Sequence, residues 1–279
     1  GFNGLVVTDA SSMAGMVIPM HRSQAVPQAI AAGCDMFLFT RNLEEDVSYM
    51  KKGIEEGVIT PERLDEALTK ILALKASLGL HKKKAEGTLI PNLEEAKQKL
   101  GTEEHRAWAQ EVAERSITIV KEETGILPLD PMKQKRVLLY PLLSGQSYFA
   151  ASSFDSVGQF KSLLVEQGFE VDQFNPSKGM EGLLMAYQTY VEKYDVIIYL
   201  STLATKSNQT VIRIEWAQPM GADVPVFQAA IPTLFISLEN PYHLLDVPRV
   251  KTFINTYGTS EEVLEQLVNK LIGKSEFIG

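Results

Sequence analysis

The residues best suited to chemistry lie at the start of the chain, in GFNGLVVTDASSM, residues 1–13. Leu5, Val6 and Val7 form a short apolar run, preceded by Gly1 and Gly4 and closed by Thr8 and Asp9. A run apolar on both faces suits a strand of a parallel sheet, covered on both sides. Asp9 then stands at the C-terminal end of that strand. Parallel α/β folds gather catalytic groups there, because the loops converge on one pocket. A carboxylate in such a place costs free energy unless it is hydrogen-bonded or at work. Two readings follow: a reactive carboxylate, or a side chain that caps the next turn.

Other chemistries find less support. His21, His81, His105 and His243 are scattered, without Cys or carboxylate partners at ligand spacing, so neither a metal nor another cofactor is expected. The one cysteine, Cys34, reads as a small core residue and cannot form an internal disulfide. Ser144-Gly145-Gln146 matches neither a P-loop nor a dinucleotide fingerprint. No Gly-x-Ser-x-Gly stands anywhere in the chain. A formal charge of −8 argues against a nucleic-acid partner, which needs a basic face. The apolar runs are too short to span a bilayer. The sequence carries no signal for a compartment.

The elements that must hold Asp9 alternate. Ser23 is the expected cap of a helix carrying Val26, Ala29 and Ile30 toward Gly33, with Pro27 keeping it short or bent. Met36–Phe39 is a second buried strand, closed by Thr40 and Arg41. Residues 43–56 read as a helix with Val47, Met50 and Ile54 on its inner face, stopped by Gly57. Thr60 caps the next helix, with Pro61 at its first position. Its apolar stripe is Leu64, Leu68, Ile71, Leu72 and Leu78, and Gly79 ends it. Residues 81–102 change character and read as a linker, with Lys82–Lys84 as a solvated face. Thr102 then caps a helix, and from residue 117 onward strands and helices alternate: 117–120, 137–141, an edge strand at 169–174, a central strand at 196–200, then 233–238 and 253–257. Thr259 to Glu262 has the spacing of a capping box. This predicts an α/β domain over 103–279 with a mostly parallel sheet.

The opening stretch resembles the nucleophile signature of glycoside hydrolase family 3, Gly-Phe-x-Gly-x-Val-x-[Ser/Thr]-Asp-x-x-x-Met, through Gly1, Phe2, Gly4, Val6, Thr8, Asp9 and Met13. The resemblance continues in Ala32–Met36, in Thr60–Asp65 through Leu78-Gly79-Leu80, and in Ala113–Ile117 with Leu127-Pro128-Leu129. It implies that residues 1–80 are the last two strand–helix units of a (β/α)8 barrel, followed by the α/β sandwich domain. A whole barrel takes eight units and ~250 residues. The chain therefore reads as the C-terminal portion of a longer enzyme. Its two early strands, apolar on both faces, are expected to expose edges that favour self-association.

The resemblance implies Asp9 as nucleophile and Met13 as substrate-binding in a retaining β-glycosidase acting on a carbohydrate. Retention needs a carboxylate that attacks the anomeric carbon and an acid that protonates the leaving oxygen. Ala10 after Asp9 is similar to the β-N-acetylhexosaminidase branch, whose acid/base is a His–Asp pair in a Lys-His-Phe-Pro-Gly-like motif. No such motif is present, so the acid/base is expected upstream of Gly1 and the isolated chain is expected to be inactive. His21 does not match that motif and reads as a surface histidine. The alternative is the β-glucosidase branch, or a non-catalytic sugar-binding or scaffolding module. Arg213, Glu215 and Trp216 follow the central strand and are near enough in sequence to reach a sugar, though Val211, Ile212 and Ile214 suit an ordinary edge strand. Asn240–His243 reads as a strand-to-turn junction.

Overall fold

The structure is a computed structural model that describes residues 2–143, 155–174, 187–204, 213–214, 216 and 224–279. The chain divides into two compact units, Gly1–Gln98 and Lys99–Gly279.

The first unit is helical except for one pair of extended segments. Val7 and Met36 form a single parallel bridge. The Met36 amide donates to Val6 O at 3.1 Å, Thr8 N–H to Met36 O at 3.0 Å and Ser11 N–H to Leu38 O at 3.1 Å. Leu38 N–H donates instead to the Thr8 hydroxyl, at 2.8 Å. The strands predicted at Leu5–Val7 and Met36–Phe39 are therefore reduced to one bridge, and neither is covered on both faces. Val7 is 43% exposed, Leu38 37% and Phe39 66%. A parallel strand is completed by neighbours on both edges and layers on both faces. Each segment has only one strand neighbour among the described residues.

The helix Arg22–Ala31 starts at His21, whose Nδ1 accepts from Ser23 N–H at 3.3 Å; Ser23 is thus inside the first turn and not its cap. Gly53 of the helix Leu43–Glu55 lies against Pro27: a Cβ at Gly53 would stand 2.4 Å from the Pro27 Cβ. This close approach turns Asp46 and Gly53 inward, one helical face seven residues apart. Val47 and Ile54, predicted on the inner face, are exposed instead. The helix Pro61–Ser77 starts as expected, with Thr60 Oγ1 accepting from Arg63 N–H at 3.2 Å. Its Ala67 is buried, whereas Leu68, Leu72 and Leu78 are exposed. Lys82–Lys84 lie in a short helix, Leu80–Ala85, with their side chains in solvent. Leu93–Gln98 is a further helix, begun by Asn92.

In the second unit, Thr102 Oγ1 accepts from His105 N–H at 3.2 Å and starts the helix Glu103–Ser116. Six strands follow among the described residues: β1 Thr118–Glu122, β2 Arg136–Leu142, β3 Glu170–Gln173, β4 Val196–Ser201, β5 Thr233–Ser237 and β6 Thr252–Asn255. Their order is β1-β6-β5-β4-β2-β3. Only β1 is antiparallel to its neighbour. The sheet is thus mostly parallel, with the alternating 169–174 segment at its edge and the continuous apolar 196–200 run inside it, as their patterns require.

Helices Ser156–Glu166 and Glu261–Leu271 supply Phe160, Leu164, Leu264, Leu267 and Leu271 to the layer that buries Leu139, Ile198, Ile236 and Ile254. The other face carries a row of rings: Phe174, Tyr140, Tyr199, Phe235 and Phe253, with centroids 4.3, 4.7, 6.0 and 5.3 Å apart in that order. The Glu261–Leu271 helix begins one residue later than the capping box predicts. Ser260 holds the cap position, without a side-chain capping bond. Ser144–Gln146, the Leu183 and Leu184 part of a predicted helix, Val211, Ile212 and Glu215 lie outside the described residues.

Candidate functional site

Asp9 lies just beyond the Val7–Met36 bridge and is exposed. Its Oδ1 accepts from Ala10 N–H at 2.6 Å. The cap position of the next helix, Ala14–Val17, is held by Met13, which makes no side-chain capping bond. Met13 N–H donates to Ala10 O at 3.1 Å, folding Asp9 and the exposed Met13 into one short loop. The loop presents a carboxylate and a thioether together.

Two buried ionic networks fix the chain on either side of Asp9. The first is centred on Asp35, whose side chain is fully buried. Asp35 Oδ2 accepts from Val6 N–H at 2.9 Å, three residues before Asp9. Its Oδ1 accepts from Arg63 Nη2 at 2.5 Å, and Lys70 Nζ stands 3.4 Å from both oxygens. Burial opposes the charge of Asp35, but the Val6 amide, Arg63 and Lys70 outweigh it and hold the carboxyl below its ordinary range. Arg63 also donates to Ile30 O and Cys34 O, both at 3.0 Å, which closes the turn before Met36. Glu66 pairs with Arg63 and Lys70, each at 3.0 Å. Asp35 therefore ties the Val6 segment to the Met36 segment and anchors both to the Pro61–Ser77 helix.

The second network is centred on Arg22, on the other side of Asp9. Arg22 and Asp46 have side chains 6% and 3% exposed. Arg22 Nε donates to Asp46 Oδ1 at 3.0 Å and Nη2 to Oδ2 at 2.6 Å, a two-point pair. The same guanidinium donates to Ser11 O at 2.7 Å and to Ser11 Oγ at 3.0 Å. The Ser11 hydroxyl donates onward to Phe39 O. Asp46 Oδ2 also accepts from Arg41 N–H at 3.2 Å.

The remaining candidates are placed elsewhere. His21 is exposed and serves as a helix cap. Cys34 is half-buried and free of any disulfide. Arg213 forms an ion pair with Asp246, and Ile214 N–H donates to Asp246 Oδ2 at 3.0 Å. Residues 213–214 are not a strand, since Asp246 takes the amide that a ladder would use. Trp216 is half-buried.

Asn240–His243 is a turn, as expected, but His243 is completely buried. Its Nδ1 lies 2.8 Å from Ser237 Oγ and 3.3 Å from Ser201 Oγ, the register-paired last residues of β5 and β4. Asn240 Nδ2 donates to His243 Nε2 at 3.1 Å, and Ser237 Oγ donates to Asn240 O at 2.6 Å. Burial holds the imidazole below its ordinary pKa, against an opposing pull from Asp246.

Sequence reasoning did not identify Arg22, Asp46, Ser11, Asp35 or Arg63 as determinants of the Asp9 loop. Asp35 alone carries a local signal, a charge at the head of the apolar Met36–Phe39 run, and it names no partner; Arg22, Asp46 and Arg63 stand among other polar residues. Among the described residues, no group of three or more His, Cys, Asp or Glu is arranged to hold a metal ion. No described helix is long and apolar enough to cross a membrane.

Residues 1–74 match the family model for the glycosyl hydrolase family 3 N terminal domain. A beta-N-acetylglucosaminidase/beta-glucosidase of Cellulomonas fimi is 55% identical over 280 residues, covering 100% of this chain and 49% of the relative. A solved beta-glucoside phosphorylase, BglX, superposes with a TM-score of 0.78 at 38% identity, over 100% of this chain and 48% of the other. The family 3 beta-N-acetylglucosaminidase structure from Paenibacillus sp. str. FPU-7 gives a TM-score of 0.64 at 20% identity, over 99% of this chain and 50% of that one, and shares the fold. The chain thus spans about half the length of these relatives.

Proposed function

Because this chain belongs to glycosyl hydrolase family 3, we propose that Asp9 is the nucleophile of a retaining β-glycosidase that acts on N-acetylglucosaminides. The observation that carries the reading is the Asp9 carboxylate, solvent-facing at the end of a backbone segment tied down on both sides. In this reading the Val7 and Met36 segments are neighbouring strands of the family's barrel. Residues 81–102 link that barrel to the α/β domain over 103–279.

The carboxylate oxygen of Asp9 forms a bond to the anomeric carbon as the bond from that carbon to the leaving oxygen breaks. An acid protonates the departing oxygen. The resulting glycosyl ester is cleaved by water, which returns the carboxylate and releases the sugar with retained configuration. Met13, on the same loop, packs against the sugar in the occupied site. The relative named for both N-acetylglucosaminide and glucoside hydrolysis supports a pocket that takes either sugar.

A second reading changes only the acceptor. Inorganic phosphate in place of water would cleave the same ester and release a sugar 1-phosphate. The whole-chain likeness to a beta-glucoside phosphorylase favours testing it.

The experiment is turnover of nitrophenyl N-acetyl-β-glucosaminide and nitrophenyl β-glucoside by the full-length protein that carries this chain, with and without phosphate, and with product analysis. Cleavage of the N-acetylglucosaminide with retention is expected, and Asp9→Asn should lower it by roughly 10³–10⁶-fold. Sugar 1-phosphate as the main product selects the phosphorolytic reading. Binding of sugar without turnover by the intact protein selects a non-catalytic role and defeats both.

A further inference from the structure

We infer that Arg22 is a positioning residue for the Asp9 carboxylate, acting through Ser11 and held in register by Asp46; the inference rests on Asp9 being the nucleophile. The geometry is unusually directed. A guanidinium buried between two helices has Asp46 to neutralise it, and a single two-point pair would satisfy that requirement. Arg22 spends two of its three remaining donors on one residue, Ser11, at both its carbonyl and its hydroxyl. Ser11 is 1% exposed and is held at a third point by its own amide on Leu38 O. Backbone N, backbone O and side chain are thus all fixed, two residues after Asp9.

The facing segment is held by the same groups. Phe39 adopts φ 47°, a left-handed conformation that a bulky side chain disfavours. Its carbonyl accepts a hydrogen bond from the Ser11 hydroxyl, and Asp46 accepts one from the Arg41 amide two residues on. Strained backbone persists where its surroundings over-determine it, and such places cluster at functional sites. With Thr8 tied to Met36 and Leu38 on the other side, Asp9 and Ala10 are the whole span between two fixed points. The carboxylate has little room to wander, which is what an in-line attack on an anomeric carbon requires. Lysine cannot reproduce this arrangement, because a point charge lacks the planar fork that serves Asp46 and Ser11 together.

The test uses the full-length protein and a 5-fluoro glycosyl fluoride, which traps the ester intermediate and separates the saturation constant from the first-order trapping rate. The variants are Arg22→Lys, Arg22→Ala and Ser11→Ala. Ser11→Ala leaves the Arg22–Asp46 pair intact and so keeps the buried charges compensated. The wild-type label on Asp9 is mapped first. Label on another residue overturns the nucleophile reading itself, and this inference with it.

With the label on Asp9, the trapping rate should fall ~10²-fold in Arg22→Lys and about tenfold in Ser11→Ala, with the saturation constant unchanged. Guanidinium ion added to folded Arg22→Ala should restore part of the rate. Equal trapping rates in folded variants would overturn the positioning role while leaving Asp9 as nucleophile. Loss of rate and saturation together, in step with loss of the folded state and without rescue, would reduce Arg22 to a structural strut. Should Arg22→Lys not fold, the Ser11→Ala rate decides alone.

Discussion

Replacing Asp35 by Asn should loosen the base of the Asp9 segment by a measurable and local amount. The wild-type carboxylate takes the Val6 amide on one oxygen and Arg63 on the other, with Lys70 near both. In Asn, one of those acceptors becomes an NH₂ group. Either the amide oxygen stays on Val6 and the NH₂ faces the Arg63 guanidinium, or it turns and the NH₂ faces the Val6 N–H. Donor meets donor in both cases. Stripping one partner from a buried ion pair costs ~3–5 kcal/mol. Glu66 remains as partner to both cations, so the lower end applies, about 3 kcal/mol.

At 1.4 kcal/mol per factor of ten, that is roughly a 10²-fold larger opening equilibrium for the Val6 to Ser11 amides, read as faster native-state hydrogen exchange. The amides of β4, in the other unit, serve as the internal control. Acid should act in the same direction. The Asp35 value is lowered in the folded state, so the unfolded state binds more protons and stability rises with pH. The contribution is full above the unfolded carboxylate range, ~pH 4, and lost as pH falls through the folded value. Unchanged exchange at Val6 and Thr8 in Asp35→Asn, or an equal acceleration in β4, would refute the reasoning.

Three further outcomes are expected. Phe235, fully buried in the ring row, should cost ~3–5 kcal/mol on truncation to Ala, lowering the melting temperature of the second unit on the order of 10 °C by calorimetry. His243 is lowered below its unfolded value, so its contribution is complete above ~pH 6.5 and fades as pH falls through the folded value; urea titrations at several pH values should show this slope, and His243→Gln should flatten it. The exposed Val7, Leu38 and Phe39 should make the 279-residue chain associate in sedimentation velocity, with Leu38→Lys weakening the effect; a single monomeric species at all concentrations would contradict this.

The second unit was legible because its signals are local. Val196–Leu200 is apolar throughout and lies inside the sheet; Phe169–Phe174 alternates and lies at its edge. Thr102 caps the helix that follows it, as Thr60 does in the first unit, because hydroxyl and amide are three residues apart. The first unit was less legible because its determinants are distant. The inner face of Leu43–Glu55 is chosen by Pro27 and Arg22, from another helix, and overrides the Val47 and Ile54 pattern. Leu5–Val7 has strand composition, but a ladder needs partners, and composition does not supply them. Asp9 is singled out in the sequence by its motif and place. The groups that hold its loop are not, since Asp46 lies 24 residues from Arg22 and 37 from Asp9 with nothing local to connect them.

The row of rings across the sheet has a bearing on how the second unit assembles. Tyr140, Tyr199, Phe235 and Phe253 are direct register partners on four successive parallel strands. A slip of one residue on any strand would swing its ring through the sheet, into a layer already filled at that level by Leu139, Ile198, Ile236 and Ile254. The neighbouring strand would face an aliphatic side chain where a ring belongs. Misaligned pairings are thereby disfavoured at each of the four strands. Parallel strands meet only after long loops close, which makes early mispairing a hazard for this topology. The ring row acts there as a proofreading device, one aromatic check for each of the four strands.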